Sequence, residues 1–222
     1  MLYRTLKYLF LYSILSLIAC TSDKKVSSAQ QIDLNGTWQF RQVGKTSWVK
    51  ATVPGVVQLD LLNAGLIEDP FYGTNENKIG WIELENWEYQ KDFEVSEDLL
   101  QQEAIELVFE GLDTYAEVLV NEVSLLHSDN MFCTWRIDCK KQLKVGKNSL
   151  KVIFKSPIKE KEAAYKNLAY QLPAGNDAGS LKVSPFVRKA PYHFGWDWGP
   201  RIVTMGIWRP VHLEVYSFSK LK

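Results

Sequence analysis

Short stretches in which apolar and polar residues alternate constrain this chain more than any other feature. In AIELVFEG (Ala104–Gly111), Ile105, Leu107 and Phe109 stand against Glu106 and Glu110, and YAEVLVNE (Tyr115–Glu122) sets Ala116, Val118 and Val120 on one face. NSLKVIFK (Asn148–Lys155) opposes Leu150, Val152 and Phe154 to Lys151 and Lys155, and WRPVHLEVYSF continues the habit near the end. A period of two is that of a β-strand with one buried face, so several such strands must pack as two facing sheets. Turn signals such as VGKN (Val145–Asn148) separate the stretches. The expected class is therefore all-β, an antiparallel sandwich with one or two short helices.

Two segments carry a helical period. VVQLDLLNAG places Val56, Leu59 and Leu62 near one face with Gly65 as a stop, and IKEKEAAYKNLAYQL runs from Ile158 to Leu172, ended by Pro173. With 46% hydrophobic and 13% aromatic residues in 222, the chain can bury a core. Acidic and basic residues balance at 26 each, which leaves no excess positive charge to draw in a nucleic acid backbone.

The first residues read as an export signal. Arg4 and Lys7 precede the apolar run Tyr8–Ala19, about a dozen residues and too short to span a bilayer. The run closes in LIAC, which resembles a bacterial lipobox and makes residues 1–20 a lipoprotein signal peptide ending at a lipid-anchored Cys20. An ordinary signal peptide with a chance cysteine is the alternative. Residues 21–30 are polar and lack an apolar period, as a flexible tether would, and residues 31–222 form the sandwich domain. The expected location is a membrane-anchored bacterial lipoprotein, on the periplasmic face or at the cell surface.

Cys133 and Cys139 lie six residues apart, about 20 Å along an extended strand against the roughly 4.4–6.8 Å a disulfide allows, so both thiols are expected to be free unless the chain turns back between them. Three histidines without close cysteine spacing give no metal site, and no cofactor motif is present: there is no phosphate-binding glycine loop, nucleophile elbow or His-Glu-x-x-His pair. Glu83, Glu85 and Glu88 in WIELENWEY are expected on solvated faces of edge strands rather than in catalysis.

Eight tryptophans are the outlier of the composition. Trp38, Trp48 and Trp208 sit within strand patterns and are expected in the core. Trp196, Asp197 and Trp198 instead lie in PYHFGWDWGPR, a frame broken by glycine and proline, where a loop could turn all three side chains to one ligand. Indole faces accept the C–H face of a sugar, and a carboxylate accepts its hydroxyls. The alternative for the triplet is burial, with Asp197 capping a turn. Arg188, Lys189 and Arg201 are candidates to orient Asp197 by charge-assisted hydrogen bonds, with solvated surface as their alternative.

Ordered blocks from about Leu34 onward, VPGVVQLDLLNAGLIEDPFYGTNE, WEYQKDF, FEGLDTYAEVLVN, DNMFCTWR, RKAPYHFGWDWGPR and GIWRPVHLE, resemble the amino-terminal domain of glycoside hydrolase family 2 β-mannosidases. The resemblance implies a jelly-roll-like sandwich beside a catalytic (β/α)8 barrel. Asp197 would then hydrogen-bond the non-reducing terminal mannose, and Trp196 and Trp198 would shape the pocket wall. Gln58 and Cys133 depart from the family pattern, and the family's two catalytic glutamates lie on a barrel that this sequence does not contain. The expected function is the non-catalytic sugar-binding domain of a β-mannosidase, with no catalytic residue of its own. Its expected partners are β-mannosides or manno-oligosaccharides, the barrel, and the membrane through Cys20. A stand-alone mannoside-binding lipoprotein, or a scaffold without ligand, are the alternatives.

Overall fold

A computed structural model describes residues 30–217. The tether and the proposed anchor at Cys20 lie outside the described residues, except that Gln30, the tether's expected last residue, already belongs to the first strand.

Among the described residues, ten strands form two antiparallel sheets. They are β1 (Gln30–Asp33), β2 (Gly36–Gln42), β3 (Val49–Val53), β4 (Trp87–Val95), β5 (Ala104–Phe109), β6 (Tyr115–Val120), β7 (Val123–Asp129), β8 (Trp135–Asp138), β9 (Gly146–Lys155) and β10 (Val211–Tyr216). One sheet has the order β1-β10-β5-β8 and the other β3-β2-β4-β9-β6-β7. The longest pairing, β4 with β9, runs from Trp87 opposite Phe154 to Val95 opposite Gly146.

The alternating stretches are the inner faces of these sheets. Ile105, Leu107 and Phe109 of β5 and Val211, Leu213 and Val215 of β10 share one buried cluster with Ala116, Val118 and Val120 of β6 and Leu150, Val152 and Phe154 of β9. Each fully buried side chain of this kind contributes about 1.5–3 kcal/mol relative to exposure. Phe40 of β2 stacks between Trp87 and Tyr89 of β4, at 6.0 and 5.6 Å between ring centroids. Trp38 is in the core as expected, whereas Trp48 and Trp208 are half-buried at its margin: Trp48 lies under the Arg41 guanidinium, and Trp208 donates to the Met131 carbonyl at 3.0 Å. The β6–β7 turn places Asn121 and Glu122 at φ 49° and 66°, the two positive values a type I′ hairpin requires.

Among the described residues, helix is limited to α1 (Val57–Asn63), α2 (Glu97–Leu100) and α3 (Pro157–Lys166), together with short 3-10 turns. Helix α1 ends as expected at Gly65 (φ 67°), where Gly65 N–H reaches Leu62 O and Leu66 N–H reaches Leu61 O, a Schellman cap. Its buried face is rotated from the expected one: Val57, Gln58, Asp60 and Leu61 point inward, and Leu59 is exposed. Asp60 is accommodated because it accepts hydrogen bonds from Thr52 N–H (2.9 Å) and Tyr89 O–H (2.8 Å), although burial still raises its pKa. Helix α3 starts from a Ser156 cap and stops at Lys166, short of Pro173. The chain then runs to β10 in turns, over a second apolar cluster of Tyr115, Ile158, Val183, Val187, Phe194 and Val203.

Candidate functional site

The Trp-Asp-Trp triplet lies in this irregular segment. Phe194, fully buried in the second cluster, ends a 3-10 turn, Pro191–Phe194. At Gly195 φ is 114°, and a Cβ there would stand 2.7 Å from the Asn176 carbonyl oxygen, so a side chain is excluded by both conformation and space. Trp196 and Gly199 then exchange two backbone hydrogen bonds of 3.2 Å each, which close a tight turn with Asp197 and Trp198 at its tip. Burial of the triplet is thereby overturned: Trp196 is 41% and Trp198 81% exposed, and Asp197 is exposed as well. Among the described residues Asp197 has no hydrogen-bond or ion-pair partner, so its carboxylate caps nothing.

The turn forms one wall of an open cleft of about 410 Å³. The other wall is Pro70, Phe71, Gly73 and Glu76, with the Phe71 ring 75% exposed. Two indoles, a phenyl ring and two carboxylates thus border one space. A hollow of similar volume, about 420 Å³, is lined mainly by apolar groups, Phe40, Leu61, Trp81 and Trp87 among them; no carboxylate of the described residues lines it, and of its polar residues Arg41 is tied to Glu88 (2.6 Å) and Gln42 to Glu85 (2.9 Å).

The basic residues named as candidates to orient Asp197 bind other carboxylates. Arg188 donates to Asp129 at 3.2 Å on the surface. Lys189 is fully buried and paired with Asp113, and it also donates to the Thr204 carbonyl (3.0 Å) and hydroxyl (2.8 Å). Arg201 donates to Asp177 (2.5 Å), to Glu83 (2.9 Å) and to the carbonyl of Phe194 (3.1 Å). Its guanidinium therefore grips the base of the turn rather than the aspartate at the tip.

The Thr204 hydroxyl also lies 2.7 Å from Asp113 and 2.9 Å from His193 Nδ1. With the hydroxyl donating to the Asp113 carboxylate, a neutral imidazole protonated on Nδ1 completes the network as donor to the hydroxyl oxygen. Burial and the adjacent Lys189 charge push the His193 pKa down to about 4, which keeps the ring neutral near pH 7.

The three glutamates of WIELENWEY are not on edge strands. Glu88 is buried on β4, which lies between β2 and β9, and pairs with Arg41. Glu83 is in the 3-10 turn Ile82–Leu84, and burial holds its carboxyl above the usual range despite Arg201. Cys133 is exposed and Cys139 buried, both free. Sequence reasoning missed Glu83, Asp113 and Asp177 as partners of the basic residues, and missed Phe71 and Glu76 as the facing wall. The only local signal was Asp177 itself, a lone carboxylate in the turn-rich stretch AGNDAGS.

Residues 38–209 match the glycosyl hydrolase 2 galactose-binding domain-like family. The chain is 35% identical to the β-mannosidase of Mus musculus over 201 residues, 88% of this chain and 23% of the mouse protein. It is 39% identical to β-mannosidase B of Emericella nidulans over 189 residues, 83% of this chain and 22% of the relative. Among solved structures, the β-D-mannosidase from Dictyoglomus thermophilum superposes with a TM-score of 0.79 at 44% identity, covering 84% of this chain and 22% of the other. An exo-chitosanase from Amycolatopsis orientalis, at 20% identity and a TM-score of 0.59, shares the fold. The chain spans less than a quarter of the length of these relatives.

Proposed function

Since the chain belongs to the glycosyl hydrolase 2 galactose-binding domain-like family, we propose that it is the sugar-binding domain of a β-mannosidase-type glycoside hydrolase. In this reading it grips a terminal β-mannosyl unit for a catalytic barrel and performs no hydrolysis itself. The observation that carries the reading is Asp197, an exposed carboxylate without a protein partner, held at the tip of a tight turn between two exposed indoles and facing a cleft.

The chemistry follows from the groups. A carboxylate accepts hydrogen bonds from two adjacent sugar hydroxyls, and each such bond strengthens as the site dries. Trp196 and Trp198 offer flat apolar faces to the C–H side of the pyranose and exclude water from those bonds. Within the fold, Glu83 and Glu88 are tied to Arg201 and Arg41 and Glu85 accepts from Gln42, so the carboxylates of WIELENWEY act as structural partners of other side chains. Retaining glycoside hydrolysis needs two carboxyl groups about 5–5.5 Å apart across the scissile bond. In this reading the barrel of the complete enzyme supplies both.

Anchorage through a lipid on Cys20 belongs to the same proposal and is supported by the LIAC sequence alone.

Titration of methyl β-D-mannopyranoside, followed through the indole N–H resonances, tests the binding claim. An open cleft leaves the sugar mostly hydrated, so the expected Kd is millimolar, about −4 kcal/mol or weaker, with the shifts abolished in Asp197→Ala. Absence of a saturable shift at Trp196 or Trp198 would refute the proposal. Micromolar binding dependent on Asp197 would favour the stand-alone binder instead.

A further inference from the structure

We propose that Arg201 is the positioning residue of the Trp-Asp-Trp turn, a brace that joins the two ends of the loop and ties them to two neighbouring segments through Asp177 and Glu83. The inference deepens the sugar-binding reading and rests on it for the identity of the ligand, but not for the mechanics of the loop.

Phe194 and Arg201 bracket the segment Gly195–Pro200. The hydrogen bond from Arg201 Nη1 to the Phe194 carbonyl oxygen, 3.1 Å, closes the neck of the loop. The same nitrogen donates to Asp177 Oδ1 at 2.5 Å. Asp177 has a fully buried side chain, and it also accepts from Gly179 N–H and Ser184 N–H at 3.0 Å each, so it is a fixed post. The other edge of the guanidinium, Nε and Nη2, reaches Glu83 Oε1 at 3.2 and 2.9 Å.

Glu83 lies outside the cleft lining, in the 3-10 turn Ile82–Leu84. It follows Glu76 of the opposite wall through the short run Asn77–Ile82, and its own carbonyl accepts from the hydroxyl of Ser156, the cap of α3, at 2.5 Å. Separate acceptors on two segments and on the loop itself therefore converge on one planar cation. Only a guanidinium has donors spread to serve them together; a lysine ammonium placed at one acceptor loses the others. The neighbourhood is shaped to the group, since a Cβ on Gly179 would stand 2.8 Å from the guanidinium carbon. Asp197 makes no hydrogen bond among the described residues, so its direction is inherited from the loop, and the loop's from this brace.

The test uses the full chain and two readouts. Amide hydrogen exchange at Trp196 and Gly199, whose N–H groups close the turn, reports loop order whether or not a sugar binds. Titration with methyl β-D-mannopyranoside reports the site. Arg201→Lys is expected to speed exchange at both amides by about tenfold or more and to weaken binding about five- to tenfold, with core β-strand amides unchanged. Gly179→Ala keeps every charge but displaces the guanidinium, and it is expected to give the same pattern, which covers the case in which Arg201→Lys folds poorly. Asp197→Ala is expected to abolish binding without changing exchange at Trp196 and Gly199.

Unchanged turn exchange in both Arg201→Lys and Gly179→Ala would overturn the brace. So would faster exchange with undiminished affinity. Intact mannoside binding in Asp197→Ala would instead refute the sugar-binding reading and leave the exchange result to judge the brace alone.

Discussion

Buried charge under an exposed loop is the main feature at the scale of residues. Lys189 and Asp113 are both removed from solvent, and loss of one partner from such a pair typically costs about 3–5 kcal/mol because the other is left uncompensated. His193 joins this group through Thr204, and its pKa of about 4 has a definite consequence. Between about pH 6.5 and 4 the unfolded chain binds a proton that the folded chain refuses. Stability should therefore fall as pH drops through that window, and His193 should add no further loss below it. In His193→Gln the part of the loss due to this residue, on the order of 2 kcal/mol, should disappear from urea unfolding curves recorded at pH 7 and pH 4. An identical pH dependence in the variant would mean that the imidazole titrates normally. Glu214 acts at lower pH: Arg136 holds its carboxyl down at about 2, so its stabilisation is lost below the usual glutamate range. The sequence exposed the basic residues of this region but not their partners. Arg201 meets Glu83 across 118 positions and Lys189 meets Asp113 across 76, and no local pattern encodes such a meeting.

At the scale of elements, β5, β6, β9 and β10 were legible because hydropathy alone decides which face of a sandwich strand is buried, whereas β1 and β7, whose residues are largely exposed or half-buried, carry no such alternation. Ile105, Leu107 and Phe109, and likewise Leu150, Val152 and Phe154, occupy the core as their alternation requires. Helix α1 was legible as a helix but not in its phase, since two of its inward residues, Gln58 and Asp60, are polar. Gln58 reaches the Val203 carbonyl at 2.9 Å, and Asp60 serves Thr52 and Tyr89, so hydrogen bonding reverses what hydropathy assigns. The triplet turn was legible as a break, from its glycines, but its geometry depends on Gly195 lying against Asn176. Gly195→Ala should cost about 1–3 kcal/mol from the backbone conformation, with the clash in addition. A shifted urea midpoint at unchanged slope would confirm this, and a wild-type midpoint would show that the loop relaxes freely.

At the scale of the whole molecule, two sheets and a second small cluster make a platform from which one turn projects. Phe71, Trp196 and Trp198 remain exposed along that side, together with Asp197. The proposed division of labour follows: the sandwich holds the recognition groups rigid, and a barrel brings the reacting carboxyl pair. The most direct test of that division is a chimera in which residues 31–217 replace the matching segment of the β-D-mannosidase from Dictyoglomus thermophilum, assayed on an aryl β-mannoside with and without Asp197→Ala. Removal of a charged acceptor for sugar hydroxyls should lower kcat/KM by about 10- to 100-fold or more while the chimera stays folded. Equal kcat/KM in the two chimeras would contradict the claim that this domain contributes Asp197 to the active site.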